Sequence, residues 1–547
     1  MECGIDFGTT FSSLAYFSDV GQAKQSCLTL AGSEFIPTSV YISDQGWYSI
    51  GRRAYSDYQR SPGGGRYYTN PKRYIGCTAA NKYKYLVKLK PKFIVRNTAR
   101  TGYSVDLEGS GGGKYSFLTP VEITYLFCRA LLAEAEMATG KVVTGVVCTV
   151  PADYNSFKRS YLSVAFSEIG CPLRAFINEP TAAALAGSAA AKDKKRMVSV
   201  FDFGGGTFDV SFVGFLGNVA TVILSVGDNY LGGRDVDRAL LRMMASRVTG
   251  EYDQSIAEQL ISECKEKLSS AVESYDLLLP TTTGVNKVVV TSADLREASE
   301  PLIKKAYNLF NKAVEELGRP KVELILTGGS SALPLVEEMG RNNPNVVRVN
   351  FDRGFFRLSV ALGAKIYSDI LTGASDLRLV DSLTHTLSDE VGGMVPKVVF
   401  PKGHAVPTRT TLSFNVGRSK VPYGVMEGEQ PVSFLNELTF IATHTRGTTS
   451  PGTSVAEYSI SLDGRINVSV DGKQLTNEMT PPGISSRVKS LKYRSAKEDY
   501  VEVGLGSYAE QFKDLHGVSI TPNNIRQNSG AVIEKGIEEN FIARWTD

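Results

Sequence analysis

The chain has 547 residues, 42% hydrophobic and 21% charged, a composition that supplies soluble cores and a length that exceeds one ordinary domain. A net charge of +3 excludes bulk attraction to nucleic acid as the organising force. No stretch approaches the roughly 18–20 apolar residues of a membrane span, and MECGIDFGTTFSS lacks the basic and apolar regions of a signal peptide.

In chain order, the first part, to about residue 370, alternates strand-like and helix-like segments. Residues 142–150 (VVTGVVCTV, from Val142) are β-rich, and Ser156–Ile169 has the spacing of an amphipathic helix. Pro180 opens a run of helix formers, TAAALAGSAAA. Residues 198–203 and 208–213 read as paired strands, 258–271 as a helix, and 323–327 (ELILT) as a short buried strand before Gly328-Gly329. Strands alternating with helices argue for α/β architecture. Residues 376–381 (DLRLVD) form a short apolar-acidic connector. From Ser382 to about Lys473, short β-type runs alternate with turns, and Asp463-Gly464 marks a hairpin, so this region reads as a small β-sandwich. Pro481-Pro482-Gly483 separates it from a mixed, turn-rich end.

Seven scattered cysteines without a CxxC pair predict buried reduced thiols rather than a disulfide or zinc framework. The four histidines (His385, His404, His444 and His516) all lie outside the α/β region, which argues against a Ser/His/Asp hydrolase.

One internal repeat carries the chemistry. GIDFGTT (4–10) and FDFGGGT (201–207) are both strand–Asp–Phe–Gly–turn–Thr units, and two in one α/β region suggest a duplicated lobe around a shared cleft. Glycine turns expose successive N–H groups with no side chain in the way, a geometry that binds phosphate oxygens. Thr9, Thr10 and Thr207 add hydroxyl donors. Asp6, Asp202 and Asp209 suit such a place only if Mg²⁺ bridges them to the phosphates. With a third glycine loop, TGGS (327–330), the expected ligand is a nucleoside triphosphate and the expected chemistry phosphoryl transfer.

These motifs, together with NPKRYIG (70–76), VPADYNSFKRS (150–160), NEPTAAAL (178–185), GDNYLGGRDVD (227–237) and TGGSSALP (327–334), fall in the order seen in seventy-kilodalton heat-shock chaperones. The resemblance covers roughly residues 1–475. Within that family, VPADYNSFKRS, SVGDNYLGGRDVDRA and LRLVDSLTHTLSDEVGG are most similar to the closterovirus homologues of the grapevine leafroll (ampelovirus) type.

The resemblance implies an actin-like, two-lobed α/β ATPase domain over 1–375 and a linker over 376–381. It implies a β-sandwich substrate-binding-like domain over 382–475, then a short mixed segment, 476–547, without a full helical lid. It implies ATP or ADP with Mg²⁺: Asp6 and Asp202 toward the metal; Gly8, Thr9, Thr10, Gly204, Gly205, Gly206 and Thr207 around the phosphates. Lys72 would position the γ-phosphate, Glu179 the water, and Asp209 would be a second organising carboxylate. Gly232, Gly233, Lys265, Ser269, Gly328, Gly329 and Ser330 would line the phosphate and nucleoside side.

Implied partners are coat, tail and movement proteins of the same virus, viral RNA through the particle, and host co-chaperones or plasmodesmal and cytoskeletal proteins. The implied locations are host cytoplasm, plasmodesmata and the virion tail. Two roles stay open: an ATPase acting in cell-to-cell movement and tail assembly, and a structural tail protein that binds nucleotide with little turnover. The chain departs from the family at Phe11, Ser262, Glu266, Ala332 and Arg357 on the base side, and Arg378 interrupts the leucine-rich linker. Altered nucleotide affinity and weakened linker coupling are therefore expected.

Overall fold

The computed structural model describes residues 1–495, apart from 62, 153, 189–194, 253, 271, 352–355, 391–394 and 463. Two sheets carry the repeated motifs. The first has the spatial order Leu173–Asn178, Gly145–Val150, Glu2–Asp6, Phe11–Ala15, Ile36–Pro37. The second begins Val346–Asn350, Val322–Thr327, Arg196–Phe203, Phe208–Leu216, Val219–Asp228. In each, the strand that carries the motif's aspartate pairs parallel with one neighbour and antiparallel with the strand beyond its own glycine turn. The repeat seen in seven residues thus extends to strand order.

The helices Glu179–Ser188 and Ser359–Leu371 join the two sheets through one alanine-rich core, which takes Val147 and Ile177 from the first and Val198 and Val200 from the second. Their approach depends on glycine: a Cβ on Gly363 would stand 1.7 Å from the Ala182 carbonyl oxygen, and one on Gly4 2.2 Å from the Lys365 nitrogen. Side chains at either place would force the backbones apart.

Local signals place the remaining helices near this frame. Ser156–Ile169 forms where its periodicity predicts, capped by Asn155 Oδ1 accepting from Lys158 N (2.9 Å) and ended by Gly170 at φ 78°. The helix expected over 258–271 runs Gln254–Leu268. The β-rich stretch at 142–150 is shorter than its composition predicts, because Val143 N donates to Glu136 Oε1 (2.9 Å) and the strand begins at Gly145. All seven cysteines are free and six are buried, as the sequence predicts. No helix among the described residues is long and apolar enough to cross a membrane.

The connector becomes a strand. Arg378–Ser382 pairs parallel with Val219–Asp228 and antiparallel with Ala405–Val406, extending the second sheet. Strand alternation turns Arg378 outward, while Leu377 and Leu379 pack on the alanine-rich core. The charge that interrupts the leucine run therefore sits in solvent and leaves docking intact.

Beyond it, two four-stranded antiparallel sheets share one core built on Leu387, Phe414, Tyr423 and Tyr458. The chain reverses between Gly452–Ile460 and Ile466–Val470, where the hairpin was expected; Asp463 lies outside the described residues. This β-region rests on the first half through its acids. Glu427 Oε1 accepts from Ser156 N (2.9 Å), and Glu437 Oε2 from Asn155 Nδ2 (2.5 Å). Lys158, before burial opposes it, holds the Glu437 carboxyl below its usual range.

The turn-rich end forms a strap that the sequence did not announce. Met479, Ile484, Val488 and Leu491 enter the core of the first half. Ser485 binds Glu122 Oε1 through its nitrogen (3.1 Å) and hydroxyl (2.6 Å). Lys492–Tyr493 then adds in parallel to Trp47–Ile50, with the Tyr493 ring 5.3 Å from Tyr48 and its hydroxyl donating to Glu134 (2.7 Å). The part of the expected C-terminal segment from 496 to 547 lies outside the described residues.

Candidate functional site

Between the two sheets lies a cleft of about 1990 Å³, lined by both glycine hairpins, the TGGS loop and residues from Gln254–Leu268. The hairpins close because Asp202 pairs with Asp209 and Phe203 with Phe208 in register, leaving residues 204–207 as the turn, with Gly204 N donating to Thr207 O (3.0 Å). The tips face each other. A Cβ on Gly205 would stand 2.7 Å from Thr10 Oγ1, and one on Gly206 3.3 Å from Thr9 Cγ2. Side chains at 205 and 206 would crowd Thr10, Thr9 and Arg73, and glycine there leaves the backbone open to an anion between the tips.

Behind the tips the charges gather. Lys72 and Glu179 form a buried ion pair, and both line the cleft with Asp6 and Asp202. Asp6 also accepts from Thr149 Oγ1 (3.1 Å). Burial, reinforced by Glu179, pushes the Asp6 carboxyl up to about 7 despite Lys72 and the Thr149 bond. Burial, Glu179 and Asp6 together hold Asp202 well above the carboxylate range. Burial works against the Lys72 ammonium, but Glu179 and Asp6 outweigh it and raise its pKa.

With three carboxyls and one ammonium buried together, a divalent cation would let Asp6 and Asp202 ionise. No cluster of three or more His, Cys, Asp or Glu placed to hold a metal occurs among the described residues. Asp6 and Asp202 both line the cleft, and two carboxylates beside open space suit a cation that keeps most of its waters, as Mg²⁺ does.

The other expected residues divide into two groups. Gly8, Thr207, Lys265, Ser269, Gly328, Gly329 and Ser330 line the cleft. Lys265 is engaged there by Asp237 (2.8 Å) and the Gly233 carbonyl (3.2 Å), and Ser330 Oγ donates to Gly204 O (2.9 Å). Gly232, Gly233 and Asp209 act from behind. Gly233 N and Arg234 N donate to Gly204 O (2.9 Å) and Gly205 O (3.0 Å), bracing the turn, and a Cβ on Gly232 would sit 2.5 Å from Gly206 N. Asp209 Oδ1 accepts from Ala152 N (2.9 Å), which ties the end of the second hairpin to the first sheet's loop.

Sequence reasoning missed a basic wall. Arg73 reaches the Gly206 carbonyl (3.4 Å), and Arg234 bonds Asn70. Burial, then the nearby charge of Arg73, draws Arg234 down to about 10 against Asp237 and Glu258. Both arginines sit inside quoted motifs, NPKRYIG and GDNYLGGRDVD, but only the fold shows that their side chains turn toward one cleft.

Comparison with known proteins identifies the family. The family model described as Hsp70 protein matches residues 2–480. The chain is 41% identical over 548 residues to the movement protein Hsp70h of Grapevine leafroll-associated virus 3, covering 100% of this chain and 99% of that one. It is 31% identical over 531 residues to the movement protein Hsp70h of Beet yellows virus, covering 94% and 86%. A chaperone protein HscA homolog of Shewanella putrefaciens is 32% identical over 330 residues, 57% of this chain and 52% of its own. The chain belongs to the Hsp70 family, as a homologue of its closterovirus members.

Proposed function

We propose that residues 1–375 form an actin-like, two-lobed unit that binds and hydrolyses a Mg²⁺-nucleoside triphosphate. Residues 376–381 link it to the β-sandwich of 382–475, and 476–547 follow as a C-terminal segment. One observation carries the reading: two glycine tips face each other over Asp6, Asp202, Lys72 and Glu179. The turn nitrogens and Thr9, Thr10 and Thr207 hold the phosphate oxygens. Asp6 and Asp202 would hold Mg²⁺, which would supply positive charge against the phosphates. Lys72 supplies a point charge to the γ-phosphate, and Glu179, fixed by it, orients the attacking water. Asp209 fixes the second hairpin, and Lys265, Ser269 and Gly329 face the nucleoside. The family default for that nucleoside is adenosine.

The relatives named as movement proteins support a role in carrying virus from cell to cell, with partners among proteins of the same virus. The cytoplasm, plasmodesmata and virion tail are the places where such a role is exercised. The test is phosphate release by purified full-length protein with Mg²⁺ and either ATP or GTP. Asp202→Asn and Lys72→Ala should each lower the rate by about 100-fold or more, and Asp202→Asn in an infectious clone should restrict spread. Wild-type turnover by Asp202→Asn rejects the enzymatic reading.

A further inference from the structure

Arg73 and Arg234 reach the second glycine tip from opposite halves. Arg73 lies in the short helix Pro71–Tyr74, and Arg234 in the first turn of Gly233–Ala245. Lys72 and Arg73 are neighbours whose side chains part: Lys72 turns to Glu179, and Arg73 to the Gly206 carbonyl. A Cβ on Gly206 would stand 3.1 Å from Arg73 Nε, which is buried and has no hydrogen-bond partner. Arg234 donates to Asn70 Oδ1 of the first half. Asn70 holds left-handed backbone (φ 55°, ψ 44°), which a residue other than glycine keeps only where its surroundings fix it. One turn on, Arg238 Nη2 donates to Leu89 O (3.0 Å), also in the first half. All three arginines line the cleft.

The acids beside them are engaged elsewhere. Asp235 pairs with Arg238 (3.6 Å) and accepts from Gly232 N (2.9 Å), and Asp237 pairs with Lys265 (2.8 Å). Glu258 lines the same cleft but is exposed to solvent. Among the described residues, neither Arg73 nor Arg234 forms an ion pair. Two like charges from opposite walls repel and favour opening, whereas a dianion between them would draw the walls together. We propose that Arg73, Arg234 and Arg238 form a second anion site, apart from the carboxyls around Lys72, that takes inorganic phosphate and clasps the two halves. The guanidinium fork meets two phosphate oxygens at once, and phosphate supplies the acceptor that Arg73 Nε lacks. The site goes beyond the nucleotide reading and stands on its own residues.

Calorimetric titration of the full-length protein with inorganic phosphate, at ionic strength matched with sodium chloride, tests this. Mg²⁺ and a non-hydrolysable ATP analogue are kept saturating, so that the space between the tips is filled. Wild type should bind one phosphate per chain, and Arg73→Gln and Arg234→Gln should each weaken it at least about tenfold, the scale of one charge-assisted hydrogen bond. Arg234→Glu sets a carboxylate near Arg73. It should abolish phosphate binding and melt higher than wild type in phosphate-free buffer, because the clasp is then built in. No phosphate binding by wild type overturns the proposal whether or not any variant folds, and so does unchanged binding in Arg73→Gln and Arg234→Gln. An Arg234→Glu protein that melts no higher than wild type without phosphate refutes the clasp. If phosphate binds, is lost in Arg234→Gln, and no ATP analogue binds, this site stands and the nucleotide reading fails.

Discussion

Replacing Lys72 with methionine keeps the stem's volume and removes the ammonium from beside Glu179, Asp6 and Asp202. The side chains of Lys72 and Glu179 are 3% and 10% exposed, so water screens their attraction little. Breaking one side of a buried pair costs about 3–5 kcal/mol. Asp6 and Asp202 are already held toward their protonated forms, and a proton taken up there offsets part of the loss. The lower end, about 3 kcal/mol, is therefore expected at pH 7.5, or roughly 4 °C in melting temperature for a unit of this size. The loss should be smaller at pH 6, where that uptake is easier. Thermal melts and urea titrations of Lys72→Met, Glu179→Gln and the double variant measure it. Because removing both partners leaves no stranded charge, the double variant should be more stable than the sum of the singles by more than about 1.5 kcal/mol. A Lys72→Met variant within about 1 kcal/mol of wild type, or strict additivity, would refute the reasoning.

Three further outcomes are expected. Gly363→Ala places a methyl 1.7 Å from the Ala182 oxygen and should destabilise by about 3 kcal/mol or more; a normal first urea transition would show that the helices can separate freely. Burial raises Asp389 to about 7 against the hydrogen bond from Tyr458, so the fold favours its protonated form. Its stabilising contribution is fully present below about pH 4 and falls between about pH 4 and 7, by up to about 1.4 kcal/mol per pH unit. Asp389→Asn should flatten that part of the urea-midpoint profile, and an unchanged slope would count against the assignment. Tyr493→Ala removes the ring on Tyr48 and the bond to Glu134, so amides of residues 484–495 should exchange with deuterium at least about tenfold faster while those of 198–213 stay protected.

Features that depend on residue type were readable in advance. The helix over Ser156–Ile169 follows from its periodicity, and the two Asp-Phe-Gly units predict loops on a shared cleft because both the glycines and their spacing are visible. Features that depend on backbone competition or distant encounters were not. Glu136 takes Val143 out of a strand its composition favours. Arg378 reads as a break in the linker until strand alternation turns it to solvent. Gly363 looks like an ordinary helix glycine, and only its contact with Ala182 explains it. The strap was hidden for the same reason: Lys492 and Arg494 bind through backbone nitrogens, to Gly46 O (3.1 Å) and Tyr48 O (2.8 Å), which any sequence could supply. Within the cleft, the aspartates and threonines were legible from chemistry. The bracing role of Asp209 was not, because it depends on where Ala152 falls.

The connector and the strap together set the mechanics of the β-region. It is hung from the second half at Arg378–Ser382 and fastened to the first half through Met479 to Tyr493. With the shared helix core joining the halves, the three bodies form a closed loop of linked parts rather than an open string. Rotation of one half against the other would then load the connector, the strap and the Glu427 and Glu437 contacts together. Such a loop converts opening of the cleft into torque on the sandwich, where a single tether would only let it swing away.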